Sequence, residues 1–378
     1  MSMTVESIQS PSKYIQGAGI LNVLKDYVKN LGKSFLIVSD PFVFNDAKSK
    51  IDKSFENDSS KVLYEKFNGE CTQNEIDRLI EVTKKEKSDA VIAIGGGKTL
   101  DTVKAIGYYT NLPVVIIPTL ASCDAPCTAL AVIYKENGEF SKYLYLPQNP
   151  NMVIVDTDII LGAPVKFLAA GIGDAFATYY EARACYRAGA VNLVGTKITN
   201  AAMALAEACR ETLLKDGLAA KDANEKHVST KAFENIVEAN IYLSGVGAES
   251  SGLAAAHAIS NGLTVIPELH HVSHGEKVGF GTTVQLVLEG VSDKELKEAV
   301  EFMASVGLPV TLQDMGLKSI DRELVRKAAE LSCAKDDTMG HMPFEVTVDN
   351  LCSAIIDANK KASEIVENMK SSNKVLTK

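Results

Sequence analysis

No apolar run in this sequence is long and uninterrupted enough to cross a bilayer, so a transmembrane helix is not expected. Its opening, MSMTVESIQSPSKY, contains Glu6 and no apolar core, and does not read as a secretory signal. Basic residues are in deficit: 39 Lys and Arg face 48 Asp and Glu, a net charge of −9. At a pI near 5.3 no basic face for nucleic acid is evident, and an acidic membrane surface would repel the chain. The seven cysteines are scattered and include no C-x-x-C pair, which argues against a zinc ribbon or a disulfide scaffold. Free thiols in a reducing compartment are expected, hence a cytoplasmic location. Internal repeats and low-complexity segments are lacking, and only Ser371 to Lys378 read as frayed.

What remains is an ordinary globular composition. Hydrophobic residues make up 46% and charged residues 23% of 378 positions, enough chain for two domains with substantial cores. From Ser12 to about Gly162, short apolar runs alternate with helix-period segments. Ile20, Leu21, Leu24, Val28 and Leu31 share one helical face, closed by Gly32. Buried strands are expected at Ser34 to Asp40, Asp89 to Gly95, Leu112 to Thr119 and Met152 to Asp156, with another at Lys61 to Glu65. Thr72-Gln73-Asn74-Glu75 reads as a capping box. Asn137-Gly138, between ALAVIY and FSKYLYLP, signals a hairpin. Apolar strands alternating with helices imply a mainly parallel sheet covered on both faces. After Pro164 helical segments follow one another, at roughly 164–187, 192–215, 231–247, 252–264, 275–290, 294–306, 321–334 and 346–370. The expected organisation is an α/β Rossmann-like domain over residues 1–162 and an all-α domain over 163–378.

Three stretches carry chemistry. Four of the six histidines, His257, His270, His271 and His274, crowd into Leu253 to Gly281. Two of them on successive helices suit a divalent metal held by neutral imidazoles; satisfied surface histidines fit this stretch equally well. Asp174 lies in the apolar face of AAGIGDAFA, where an unpaired carboxylate costs several kcal/mol. With His257 and His274 it makes one carboxylate and two imidazoles from three helices, and three protein ligands with an open position are the catalytic zinc arrangement. Next, Gly95-Gly96-Gly97-Lys98-Thr99-Leu100-Asp101 follows a strand and opens a helix, so its amides and the helix N-terminus suit a phosphate. It is neither G-x-G-x-x-G nor a P-loop, since Ile92 stands where a P-loop needs its first glycine. Asp40, at a strand end, suits the hydroxyls of an adenine ribose and disfavours a 2′-phosphate, or it caps the turn before Phe42. Finally, TLASCDAPCT leaves another strand end with hydroxyls and one carboxylate suited to a polar ligand, while Cys123 and Cys127 read as small-residue packing.

Taken together, PSKYIQGAGIL, IGGGKTLDTVKA, PTLASCDAPCTALAVIY, NPNMVIVDT, AAGIGDAFATYYEA, GLAAAHAISNGL and HHVSHGEKVGFGTTVQL resemble the glycerol dehydrogenases of the iron-type (group III) alcohol dehydrogenase superfamily nearly end to end. The resemblance implies a dehydroquinate synthase-like architecture with a cleft between a nucleotide domain and a helical domain. It implies Asp174, His257 and His274 as metal ligands. Gly97, Lys98, Thr99, Leu100, Asp101, Thr119, Ser122, Thr128, Leu130 and Tyr134 match its NAD contacts, with Asp40 on the adenosine ribose and Asp124 near the substrate hydroxyls. Iron-using relatives tend to carry a histidine one turn after the aspartate. Here that position is Thr178, which resembles the zinc-using members.

The implied reaction is NAD-dependent oxidation of glycerol or a related vicinal diol, assisted by Zn2+, with dihydroxyacetone as the product from glycerol. Asp124 would orient the diol and His271 pass a proton to solvent, or else orient the metal site. A homo-oligomer, from dimer to octamer, is implied as well. Rivals are a same-fold enzyme acting on a phosphorylated or carboxylated substrate, such as a glycerol-1-phosphate dehydrogenase or a 3-dehydroquinate synthase, a P-loop phosphohydrolase, and a non-catalytic NAD sensor. The metal-lining segments are poor in basic residues apart from Lys277, and Asp124 would repel an anionic substrate.

Overall fold

The computed structural model describes residues 5–376; residues 1–4 of the expected non-signal opening, and Thr377 and Lys378 of the expected frayed tail, lie outside the described residues. Among the described residues eight strands run in chain order as β1 (Tyr14–Gly17), β2 (Ser34–Ser39), β3 (Lys61–Lys66), β4 (Ala90–Gly95), β5 (Val114–Pro118), β6 (Leu130–Tyr134), β7 (Phe140–Tyr145) and β8 (Met152–Asp156). Six form one sheet in the order β1-β8-β5-β4-β2-β3, every pairing parallel. β6 and β7 form a separate antiparallel hairpin around Gly138, whose φ of 82° fits the Asn-Gly turn.

Alternation along the central strands divides the apolar side chains between two cores. Phe35, Ile37, Ile92, Ile94, Val115, Ile117 and Ile154 face Leu21, Leu24, Val28 and Ile51. Leu36, Val38, Val91, Ala93, Ile116 and Val153 face the opposite way and continue into a core shared with Ile172, Phe176, Phe233 and Val246 of the helical half. Helix on one side and helical half on the other explain why these strands read as unbroken apolar runs. β1 has no such run. It is short and half-buried throughout, pairing Tyr14 with Val153 to Gly17 with Asp156 at the sheet edge.

The strand order reverses between β2 and β4: the chain leaves β2 outward to β3, then returns to β4 on the other side. The carboxyl ends of β2, β4 and β5 lie side by side there. The Asp40 amide donates to the Ile94 carbonyl at 2.8 Å, and the Thr119 amide to the Gly95 carbonyl at 3.0 Å. Ligands of open α/β sheets bind in such a crevice.

From Pro164 onward no strand is assigned among the described residues. The main helices are Val165–Ala188, Asn200–Glu225, Lys231–Glu238, Ser244–Ser251, Ala255–Gly262, His274–Leu288, Asp293–Ser305, Arg322–Ser332 and Val348–Leu376. A π-helical turn, Ala239–Leu243, joins the third and fourth. Several boundaries differ from expectation. The segment expected at 192–215 begins at Asn200, because Asn192 Oδ1 ties the Val194 and Thr196 amides into a turn and Thr199 caps the helix after it. The expected Ile20–Leu31 helix is a single turn, Leu24–Val28, flanked by 3-10 turns. The last helix is assigned to Leu376, past the expected end at residue 370. Residues 5–9 lie along the helical half, where the Lys197 amide donates to the Val5 carbonyl and the Gln9 amide to Ser250. No helix of the described residues is long and apolar enough to cross a membrane.

Candidate active site

Three helices each deliver one ligand atom to a common point. Asp174 sits mid-helix in Val165–Ala188, His257 in the first turn of Ala255–Gly262, and His274 opens His274–Leu288 behind a capping box made by Ser273 and Glu276. Their ligand atoms all lie within 4.8 Å of one another. Alanine and glycine make this possible, since only small residues let helix backbones approach so closely. A Cβ on Gly173 would lie 2.4 Å from the carbonyl oxygen of Gly275 on the helix that carries His274. Asp174 is buried, His257 nearly so, and the His274 side chain is 48% exposed, which marks the side on which the site opens.

The electrostatics of this point call for a cation. Asp174 Oδ1 lies 3.4 Å from His257 Nε2 and 3.3 Å from His274 Nε2, yet it is buried without a hydrogen-bond donor. Its other oxygen accepts the Asp124 amide at 3.1 Å. Burial works to raise the Asp174 carboxyl, but the potential of His274 and His257 holds it well below the usual carboxylate range. Asp124 is pushed up to about 7, by burial first and then by the Asp174 charge. Two neighbouring carboxylates, one with an orphaned oxygen, and two imidazoles form a hard-and-borderline donor set that a divalent ion completes.

Sequence reasoning missed one residue of this centre, Glu181. It lies two turns after Asp174 on the same helix and is fully buried. Oε2 lies 2.6 Å from His257 Nδ1, while Oε1 accepts the amides of Ala254 at 2.8 Å and His257 at 3.0 Å. The rule that exposes Asp174, a carboxylate on an apolar helix face, applies equally at i+7. The other two histidines of this stretch are not among these ligand atoms. His270 Nε2 pairs with the Thr264 carbonyl, and exposed His271 sits against Gly316, lining a cavity of about 640 Å³ with Lys166, Glu276 and Asp314.

The stretch from Thr119 to Leu130 is clamped from both sides. From the sheet side, Lys104, wholly buried, donates to the carbonyls of Ala125 at 2.5 Å and Leu130 at 2.9 Å and pairs with Asp101 at 3.2 Å. From the helical side, Asn240 in the π-helical turn donates to the Ala121 carbonyl at 2.9 Å, and Glu249 accepts the Ala129 amide at 2.7 Å. π-Turns of this kind concentrate at functional sites. Thr119 and Thr128 are buried in this stretch, with the Thr128 hydroxyl on the Ala125 carbonyl, while Ser122 and Asp124 are half-buried.

At the glycine turn, Gly96 caps the helix Gly97–Thr110 with no side-chain acceptor and no acid in the first turn. The first amides therefore remain available to an anion. A Cβ on Gly97 would meet no atom within 4 Å, so space stands open beside them. Thr99 and Leu100 are buried; Thr99 packs back over Gly95, and the Leu100 amide is used by Gly96. Lys98 pairs with Glu70 at 2.6 Å and lies 5.0 Å from the Tyr134 ring centroid. The Asp101 carboxylate is spent on Lys104 and the Val132 amide, on the far side of the helix start. One oxygen of Asp40 accepts the Phe42 amide at 2.9 Å, the turn-capping role that the sequence left open beside ribose binding.

Comparison with known proteins agrees with this geometry. The family model for iron-containing alcohol dehydrogenases matches residues 11–157. A glycerol dehydrogenase of Escherichia coli O6:H1 is 51% identical over 95% of this chain and 98% of its own length. One from Pseudomonas putida is 47% identical over 96% and 99% respectively. The crystal structure of glycerol dehydrogenase from Schizosaccharomyces pombe superposes with a TM-score of 0.94 at 36% identity, covering 97% of this chain and 94% of that one.

Proposed function

The chain belongs to the glycerol dehydrogenases of the iron-containing alcohol dehydrogenase family, and from that premise we propose that it oxidises glycerol and related vicinal diols with NAD and a zinc ion. The observation that carries the reading is the Asp174, His257 and His274 cluster with its orphaned buried oxygen, joined through the Asp124 amide to the stretch that leaves β5. When bound, NAD would supply the hydride acceptor and zinc the Lewis acid that acidifies the diol hydroxyl.

The chain's own residues do the rest. Asp174, His257 and His274 would hold the metal, and the exposed His274 marks where substrate would reach it. Asp124, fixed by its amide on Asp174 Oδ2, orients the diol hydroxyls. The amides of the Gly97–Thr110 helix start cradle the pyrophosphate, and the Asp40 carboxylate receives the adenosine ribose. Clamping by Lys104, Asn240 and Glu249 holds the stretch between the two sites rigid, which favours a fixed distance between diol and nicotinamide. Exposed His271 is the proton's route to solvent in this scheme. Zinc is favoured over iron because the residue one turn after Asp174 is Thr178, whose hydroxyl is buried against Ser244 at 3.0 Å. Seven unpaired cysteines fit a reducing cytoplasm, and assembly into homo-oligomers, checked by light scattering, belongs to the same proposal.

The test is NAD reduction followed by absorbance with glycerol, 1,2-propanediol and glycerol 1-phosphate, before and after a chelator and again after added zinc. Diol-dependent activity lost with metal and restored by zinc is expected. Turnover of the phosphorylated substrate alone would move the chain to the rival reading, and activity indifferent to chelation would overturn the metal mechanism.

The cofactor cradle has its own check in Gly97→Ala. The new methyl meets no protein atom, so the melting temperature should hold, within roughly 0.5 kcal/mol of stability. It would stand in the phosphate space, so the dissociation constant for NAD should rise on the order of tenfold, about 1.4 kcal/mol. Calorimetric titration reads it. Unchanged NAD binding would remove the cradle.

A further inference from the structure

We propose that Glu181 is the positioning residue that makes His257 a metal ligand, by holding its proton on Nδ1 and so leaving Nε2 bare toward Asp174. The inference rests on the metal reading above and adds a residue to it. Imidazole in its neutral form carries one proton, and the hydrogen bond made by one nitrogen decides which nitrogen is free. Glu181 Oε2 lies 2.6 Å from Nδ1, where an ionised carboxylate can only accept, and Nε2 lies 3.4 Å from Asp174 Oδ1. The carboxylate is itself immobile. Oε1 is pinned by the amides of Ala254 and His257, at 2.8 and 3.0 Å, and the whole side chain is buried. One carboxylate thus sets the backbone of the helix that bears the ligand, the rotation of its ring and its tautomer.

A merely structural Glu181 would act through the two backbone amides alone, and Glu181→Gln separates the two roles. The amide oxygen keeps both backbone donors. Reversing the amide would set its NH2 group against both of those N–H groups, so the NH2 group is left facing Nδ1. It then donates to Nδ1 and drives the imidazole proton onto Nε2, where the metal has to bind.

The experiment is zinc competition with a chromophoric chelator on metal-free parent and variant, together with their melting curves and the visible spectra of their cobalt-loaded forms. Metal-free Glu181→Gln should melt within a few degrees of the parent, bind zinc about 10- to 100-fold more weakly, and show a shifted cobalt spectrum at saturation. A variant that binds zinc within about twofold of the parent, with the parent's cobalt spectrum, overturns the inference while leaving the metal site standing. A parent that takes up no zinc overturns the metal reading and this inference together. Should the variant not fold, imidazole nitrogen NMR of the zinc-loaded parent decides: a protonated Nδ1 and metal-bound Nε2 on His257 support the assignment, and a metal-bound Nδ1 ends it.

Discussion

Asp174→Asn is expected to strip the protein of its metal and to lower diol-dependent NAD reduction by about a thousandfold or more. The substitution conserves volume and leaves an oxygen to accept the Asp124 amide, so the fold around it need not move. What it removes is the charge. Two imidazoles and a neutral amide are a poor set for a divalent ion, and the orphaned oxygen that points into the cluster loses its reason to be there. Lewis-acid assistance contributes several kcal/mol to the transition state, and each 1.36 kcal/mol is tenfold in rate, which gives the size of the expected loss. The metal-free variant, by contrast, should melt within a few degrees of the metal-free parent, because a buried charge next to Asp124 has been exchanged for a neutral group. Elemental analysis, the absorbance assay and scanning calorimetry read the three effects. Stoichiometric zinc in the variant, or activity within tenfold of the parent, would show that the chemistry does not run through this cluster.

Asp174 also shows what a sequence discloses and what it withholds. A carboxylate in the middle of an apolar helix face is conspicuous because burying it unpaired is costly, and so the cluster that Asp174 forms with His257 and His274 is legible in the sequence. The parallel strands were legible for a related reason: coverage on both faces leaves them no polar side, and β4 and β8 are buried along their whole length. β1 escaped because a half-buried edge strand of four residues has neither an apolar run nor a clean alternation. The helix start at Asn200 escaped because a side chain, Asn192, holds the preceding turn, and side-chain knots of this kind leave no periodicity behind. Lys104 and Glu181 were in plain view on apolar helices but went unread, although the argument that found Asp174 covers them. The π-turn that brings Asn240 to Ala121 has no signature in the residues that form it. Of the residues matched to NAD contacts, Asp101 is spent on Lys104 and Val132, whereas Gly97 keeps open space at its side. The first holds the stretch that borders the crevice, and the second leaves room beside the helix start.

Gly275→Ala is expected to damage stability and metal binding together, and the pairing of the two losses is its diagnostic. A Cβ at Gly275 would lie 1.9 Å from the Ala170 carbonyl oxygen and 2.7 Å from its carbon. Those atoms belong to a helix backbone and cannot turn aside as a flexible side chain would. The helices Val165–Ala188 and His274–Leu288 must therefore separate by roughly 1 Å to restore ordinary contact. Overpacking of this kind costs about 1–3 kcal/mol, here toward the upper end, and a melting temperature lower by several degrees. The displacement falls directly on the proposed metal site, because His274 is the residue before Gly275 and Asp174 rides on the opposing helix. Metal ligands must stay within about 0.2 Å of their proper distances, and a shift near 1 Å in a functional constellation costs on the order of a hundredfold. Zinc affinity should fall by about that much or more. Gly279→Ala, one turn further along the same helix, is the control. Its Cβ would rest 3.5 Å from Met303 Sδ, an ordinary contact, so neither stability nor zinc binding should suffer. If both substitutions proved equally mild, helix proximity at Gly275 would not be what brings His274 to Asp174. If both were equally harmful, the cause would be the loss of any glycine in this helix. Damage confined to Gly275→Ala, read by calorimetry and chelator competition, would tie the small-residue packing of the helical half to the chemistry it encloses.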